Sequence, residues 1–140
     1  MPAFTTADNV RLQFQLQDTA LVPNDLLASA IDMAHHELLE RLDPIFVTET
    51  PPAALITAET FLAGARLLLL LATRSATLQP IITVGGQRLD RAREFITLIA
   101  AAEHAQQLGW DSAARYLNPQ PQQVIALTTA TTEVLGETSG

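Results

Sequence analysis

The longest run of apolar positions lies between Ala53 and about Ser75, AALITAETFLAGARLLLLLATRS, entered through Pro51 and Pro52. At helical spacing its few polar residues, Glu59, Arg66 and Thr73, fall on one narrow stripe. Leu55, Ala58, Phe61, Leu62, Ala65, Leu68, Leu69 and Ala72 occupy the rest of the circumference. The pattern predicts a central helix covered by partners on most of its sides, with the polar stripe marking where the cover is incomplete. Gly64 interrupts it. A glycine inside a helix costs about 1 kcal/mol relative to alanine, and the usual return is close approach by a neighbouring backbone, eased here by Ala63 and Ala65.

Two helices are expected before it. Thr5-Thr6-Ala7-Asp8 supplies a hydroxyl N-cap and a first-turn carboxylate, and Val10 and Phe14 recur at i,i+4, giving a short helix to about Leu16. After the loop from Thr19 to Pro23, Asn24 or Asp25 caps a second helix that continues to Leu42, where Asp43-Pro44 stops it. Leu27, Ala30, Ile31, Ala34, Leu38 and Leu42 share one face of that helix. Asp25, Ser29, Asp32, His36, Glu40 and Asp43 share the opposite one, so one face packs and the other is acidic and wet. Glu37 and Arg41 are spaced for an i,i+4 ion pair on the flank. The proline-bearing connection from Asp43 to Pro52 reads as an ordered or extended loop that tucks Ile45, Phe46 and Val47 against the core.

Beyond the central helix, LQPIITVGGQ carries the β-branched run Ile81, Ile82, Thr83 and Val84, either one arm of a hairpin or an extended loop reaching another subunit. A further helix opens at Leu89 or Asp90 and runs to Leu108, with Gly109 at the C-cap. Its apolar stripe is Ala92, Phe95, Ile96, Ile99 and Ala102, and Glu103 falls on the same stripe, where a carboxylate needs a partner. Arg66 or Arg74 on the central helix is the candidate, and Arg66 with Glu103 makes a candidate buried ion pair. Trp110 to Leu117 adds one or two turns that cap the core through Trp110, Ala113, Ala114 and Leu117. From Asn118 the chain turns proline- and amide-rich and then threonine-rich, a flexible tail or an arm that docks Val124, Ile125 and Leu127 on a partner subunit.

Composition narrows this to one domain. At 140 residues, 48% hydrophobic but only 5% aromatic, with Ala and Leu dominating, the chain favours helix packing over sheet. The fold class expected is all-α: a small bundle of about four to five helices around the long central helix over residues 1–117, with an extended loop and a C-terminal arm or tail over 118–140.

Charge then excludes functions. The net charge is −7, and all eight basic residues are Arg, with no Lys. Non-specific nucleic-acid affinity comes from basic side chains neutralising phosphates, so DNA or RNA binding is not expected. There is no Cys, hence no disulfide, thiol nucleophile or thiolate metal site, and no basic-then-apolar start of a signal peptide, so the chain is expected to be made in the cytoplasm. The stretch from Ala53 to Ala72 is long enough for a bilayer crossing, but Arg66 alone would cost roughly 2.5–3.5 kcal/mol on the insertion scale and Glu59 a similar amount, so no membrane span is expected.

The chemistry-bearing residues are sparse. His35-His36-Glu37 with Glu40, and Glu103-His104, are the clusters closest to metal ligands, yet neither has the E-x-x-H pairing of a di-iron bundle or the H-E-x-x-H of a zinc protease. They are expected to be solvated surface residues. The Gly85-Gly86 pair is no phosphate loop, and no G-x-S-x-G elbow occurs. No catalytic residue, metal or cofactor is expected, and the chain does not read as an enzyme.

The opening TTADNVRLQFQLQDTALVPNDLLASAIDMAHHELLERL, followed by a proline-containing loop, the Ala/Leu-rich PPAALITAETFLAGARLLLLLA, an irregular glycine-containing segment and a last long helix, resembles the head-tail connector (adaptor or head-completion) proteins of tailed bacteriophages. The likeness covers roughly Phe4 to Leu117. It implies a structural virion protein of the neck, made in the host bacterial cytoplasm, that forms a homo-oligomeric ring under the portal protein. Such a ring extends the DNA channel without binding the passing DNA specifically and connects to stopper or tail-completion proteins. On this reading Ile81, Ile82, Val84, Val124, Ile125 and Leu127 are the candidate subunit or partner interface, and Asp25, Asp32 and Glu40 the candidate channel or solvent face. The Thr-rich tail and the segment 76–87 depart from the family pattern. Two other classes remain open: a generic helical interaction or regulatory homodimer, and a small membrane-associated protein anchored by the central helix.

Overall fold

A computed structural model describes the backbone of residues 2–78 and 85–119, and the side chains of 2–74 and 93–119. Within them the chain forms four α-helices, α1 (Ala7–Phe14), α2 (Asn24–Arg41), α3 (Ala53–Leu78) and α4 (Gly85–Ala113), with short 3-10 turns at Pro44–Phe46 and Ala114–Tyr116. The fold is all-α, as the sequence pattern predicts.

Local chemistry sets the ends of α1. Thr6 is the N-cap, its hydroxyl oxygen accepting from the Asn9 N–H at 3.2 Å. Gln15 closes the helix in the left-handed region at φ 55°, earlier than the expected end near Leu16. The turn that follows is organised by Arg11, whose side chain is buried. Its guanidinium donates to the carbonyl oxygens of Leu16 and Val22 and to Asn24 Oδ1, each at 2.8 Å. Because the Asn24 side chain serves Arg11, it does not cap α2. The cap position is Pro23, which makes no side-chain cap bond, and Asn24 is already helical.

The apolar face read from α2 is its packing face: Leu27, Ala30, Ile31, Ala34, Leu38 and Leu42 are all buried. In the connection to α3, Asp43 caps the first 3-10 turn through Oδ1 and the Ile45 N–H at 3.2 Å. Only Phe46 of the three expected apolar residues packs inward, edge-on to Tyr116 at 4.9 Å between ring centroids. Ile45 and Val47 remain exposed.

Helix α3 is the shared partner of α1, α2 and α4, and α4 packs along it most extensively. Leu55, Ala58, Leu62, Ala63, Leu67 and Ala72 are buried along it. By length and composition, Ala53–Arg74 could also cross a membrane, and 56% of its most apolar window is buried inside the protein. The cause of Gly64 is a side chain rather than a backbone. The Phe14 ring lies where a Cβ would be, and it packs edge-on against Phe61 at 5.9 Å.

Helix α4 differs from its expected bounds. It continues through Gly109 to Ala113, so Gly109 is an interior residue. A Cβ there would sit 2.9 Å from Leu62 Cδ2 and 3.1 Å from the Ala58 carbonyl oxygen. Gly109 is required by the close crossing of α3 and α4, not by a helix end. The packing stripe is correspondingly Ala102, Ala105, Gly109 and Ala113, whereas Phe95 and Ile96 are 38% and 64% exposed. Past α4 the chain returns to the end of α2, where Leu42 and Leu117 form an isolated antiparallel bridge. The Asp43 N–H donates to the Tyr116 carbonyl and the Asn118 N–H to the Arg41 carbonyl, both at 2.9 Å.

Candidate functional site

The polar stripe of α3 is not uniformly uncovered. Glu59 has no solvent exposure, because the residues before α1 and the adjoining turn of α2 close over the first half of α3. The expectation that Glu59 marks incomplete cover is therefore corrected, while Arg66 is half-buried and Thr73 is exposed.

Four groups meet around the Glu59 carboxylate. Its Oε2 accepts from the main-chain N–H of Thr5 at 2.6 Å, and its Oε1 lies 2.5 Å from His35 Nδ1. Thr5 Oγ1 and Thr60 Oγ1 are 2.6 Å apart, and the Thr60 hydroxyl donates to the Ile56 carbonyl at 2.7 Å. With the Thr60 proton so committed, Thr5 is the donor between the two hydroxyls. The Phe4 ring stands edge-on to His35 at 5.0 Å between centroids. His35 Nε2 is buried and has no hydrogen-bond partner.

Burial pushes the Glu59 carboxyl above the ordinary carboxylate range, opposed by the Thr5 amide, by His35 and by the Phe4 amide. A proton on the Nδ1–Oε1 line joins the two side chains, and the pair carries no net charge when His35 Nε2 bears a second one. Neither residue lines the grooves that flank this region, one of about 350 Å³ beside Asn9, Leu12 and Thr57, the other of about 500 Å³ between Ala3–Phe4 and Thr48–Pro51. The pair is buried behind these two grooves rather than open to them.

His35 corrects the expectation of solvated histidines; His36 fits it, being exposed with Nδ1 2.8 Å from the Asp32 carbonyl oxygen. The signal for His35 was present in the sequence. It lies four residues after Ile31 and three before Leu38, on the apolar face of α2. Among the described residues no three His, Asp or Glu side chains converge to hold a metal ion.

The other anticipated residues are placed as follows. Asp25, Asp32 and Glu40 are exposed together on the outer face of α2. The buried pair of Arg66 with Glu103 does not form. Arg66 Nη2 lies 2.6 Å from Glu37 Oε2, and Glu103 is exposed because Ala102 and Ala105 are the residues of that turn facing α3. Glu37 is thereby drawn away from Arg41, whose guanidinium lies over the Trp110 ring at 4.4 Å. Ile81, Ile82, Val84, Val124, Ile125 and Leu127 lie outside the described residues.

The class defined by fold and site is a small all-α protein with a buried acid–histidine pair. Compared with models of known families, with curated proteins and with solved structures, the chain has no match.

Proposed function

We propose that the chain is a structural adaptor subunit of a tailed-bacteriophage neck, which assembles as a ring under the portal protein, extends the DNA channel and receives stopper or tail-completion proteins. The observation that carries this reading is on α4, where Phe95 and Ile96 stand exposed beyond the Ala102–Ala113 stripe that packs on α3. A large apolar pair left outside the monomer's core suits a subunit completed by a neighbouring chain. The acidic outer face of α2, with Asp25, Asp32 and Glu40, suits a surface past which DNA slides without being held. Ring contacts and portal docking are structural work, so the reading assigns no catalytic residue, metal or cofactor, and it places the protein in the virion neck.

Mass measurement of the purified full chain, alone and with a portal ring, tests the reading. Closed multi-subunit rings, or uptake onto the portal, are expected. A monomer at every concentration, unaffected by the portal, would overturn it, and a fixed dimer would point instead to a helical interaction or regulatory protein.

A further inference from the structure

The residues before α1 are fastened to the body through one buried cluster. Phe4 packs on His35 of α2, the Thr5 N–H binds Glu59 of α3, and the Thr5 hydroxyl binds Thr60 of the same helix. We propose that this cluster is a proton-operated latch, in which the His35–Glu59 pair in its neutral form keeps the segment 2–6 closed over α3, and loss of one proton from the pair releases that segment.

The geometry requires one proton on that line. With that proton and a second one on His35 Nε2 the pair is neutral and Oε2 accepts from Thr5, while Nε2 makes no hydrogen bond. Without a second positive group nearby, removing a proton from the pair leaves a net negative charge in a site closed to water. Among the described residues the titratable group acting on Glu59 is His35, and the buried Arg11 guanidinium of α1 is committed instead to the Leu16 and Val22 carbonyls and to Asn24 Oδ1. The segment before α1 brings Phe4 and Thr5, and α3 brings Thr60. Neighbouring α2 carries Asp32 and His36 on its exposed face, α4 meets α3 through Ala102, Ala105, Gly109 and Ala113, and the Glu37–Arg66 pair lies two turns along α3 and is internally neutral. The inexpensive escape is to open the non-helical part of the enclosure, the segment holding Phe4 and Thr5, whose remaining side-chain hydrogen bond is that between the Thr5 and Thr60 hydroxyls. Water then reaches Glu59, and Phe4 leaves the edge of the groove it shares with Thr48–Pro51.

The direction follows from the raised Glu59 carboxyl. The closed state binds the proton more tightly than the open one, so opening is promoted as pH rises above the ordinary carboxyl range, by at most about tenfold per pH unit for one proton.

Amide hydrogen exchange of the full chain tests this, followed at the N-terminal peptide and normalised for the intrinsic rate, from about pH 5 to about pH 8. Protection of Thr5 is expected to fall with rising pH while the α3 amides stay protected. Glu59→Gln mimics the protonated acid, its amide donating to His35 Nδ1 and its carbonyl accepting from Thr5, and is expected to hold protection constant. His36→Gln should leave the wild-type profile intact. Constant protection in the wild type, or an unchanged pH profile in Glu59→Gln, would overturn the proposal. Should Glu59→Gln not fold, the wild-type Glu59 side-chain carboxyl resonance decides, since a titration that does not coincide with the change in Thr5 protection also overturns it.

Discussion

The Thr5 main-chain N–H donates to Glu59 Oε2 at 2.6 Å, across 54 residues of sequence. This contact makes a carboxylate in the second turn of the most apolar helix compatible with folding, because the acid receives a donor from the segment before α1 on one oxygen and His35 on the other. Removing one partner therefore differs from removing both. His35→Leu should destabilise by about 3–5 kcal/mol, since it strands Glu59 in the core, and His35→Leu combined with Glu59→Met should lose less than either replacement alone. Urea midpoints of the four species in the cycle measure this.

Global stability should carry the same proton linkage. A carboxyl raised on folding is bound to more protons in the native than in the unfolded chain between its unfolded value, near 4.5, and its higher folded one. Stability is thus fully present below that interval and declines as pH rises through it. The difference in unfolding free energy between wild type and Glu59→Gln, measured at several pH values, should change in that direction and become constant above it.

At Gly64 two effects compete. Alanine gains about 1 kcal/mol of helix propensity, but its Cβ would overlap the Phe14 ring. Overpacking costs typically 1–3 kcal/mol, so Gly64→Ala should lower the thermal midpoint, and adding Phe14→Leu should recover part of the loss.

Arg11 and Arg66 should respond very differently to loss of charge. Arg11 is buried and supplies three hydrogen bonds to the α1–α2 turn. Arg11→Met leaves those acceptors without their donor, at a cost of about 1–3 kcal/mol or more. The Arg66–Glu37 pair is partly open to solvent, at 38% and 22% side-chain exposure, and Arg66→Gln should cost under about 1 kcal/mol. Parallel denaturation curves separate the two.

The sequence made the α2 packing face legible because six apolar residues recur at one spacing, and His35 is the polar residue that shares that face with them. The polar stripe of α3 was only half legible. Periodicity places Glu59, Arg66 and Thr73 on one side of the helix but carries no information about Thr5 arriving there from a distant segment. Gly109 was misleading for a related reason. A glycine that ends a helix and one that admits a crossing helix look alike until Ala58 and Leu62 are seen beside it. Glu103 was assigned inward by a stripe built on Phe95 and Ile96, whereas the small residues Ala102, Ala105 and Ala113 allow the tighter approach and set the orientation of α4.

The bridge between Leu42 and Leu117 also fixes how the protein meets mechanical load. Tension applied to the chain beyond Pro119 reaches the body first through the hydrogen bonds of Asn118 to Arg41 and of Asp43 to Tyr116. A pull on that end is therefore handed to the last turn of α2 before it can peel α4 from α3. The Arg41 guanidinium over Trp110 ties the same turn back to α4, so α2 and α4 share the strain at a single anchorage.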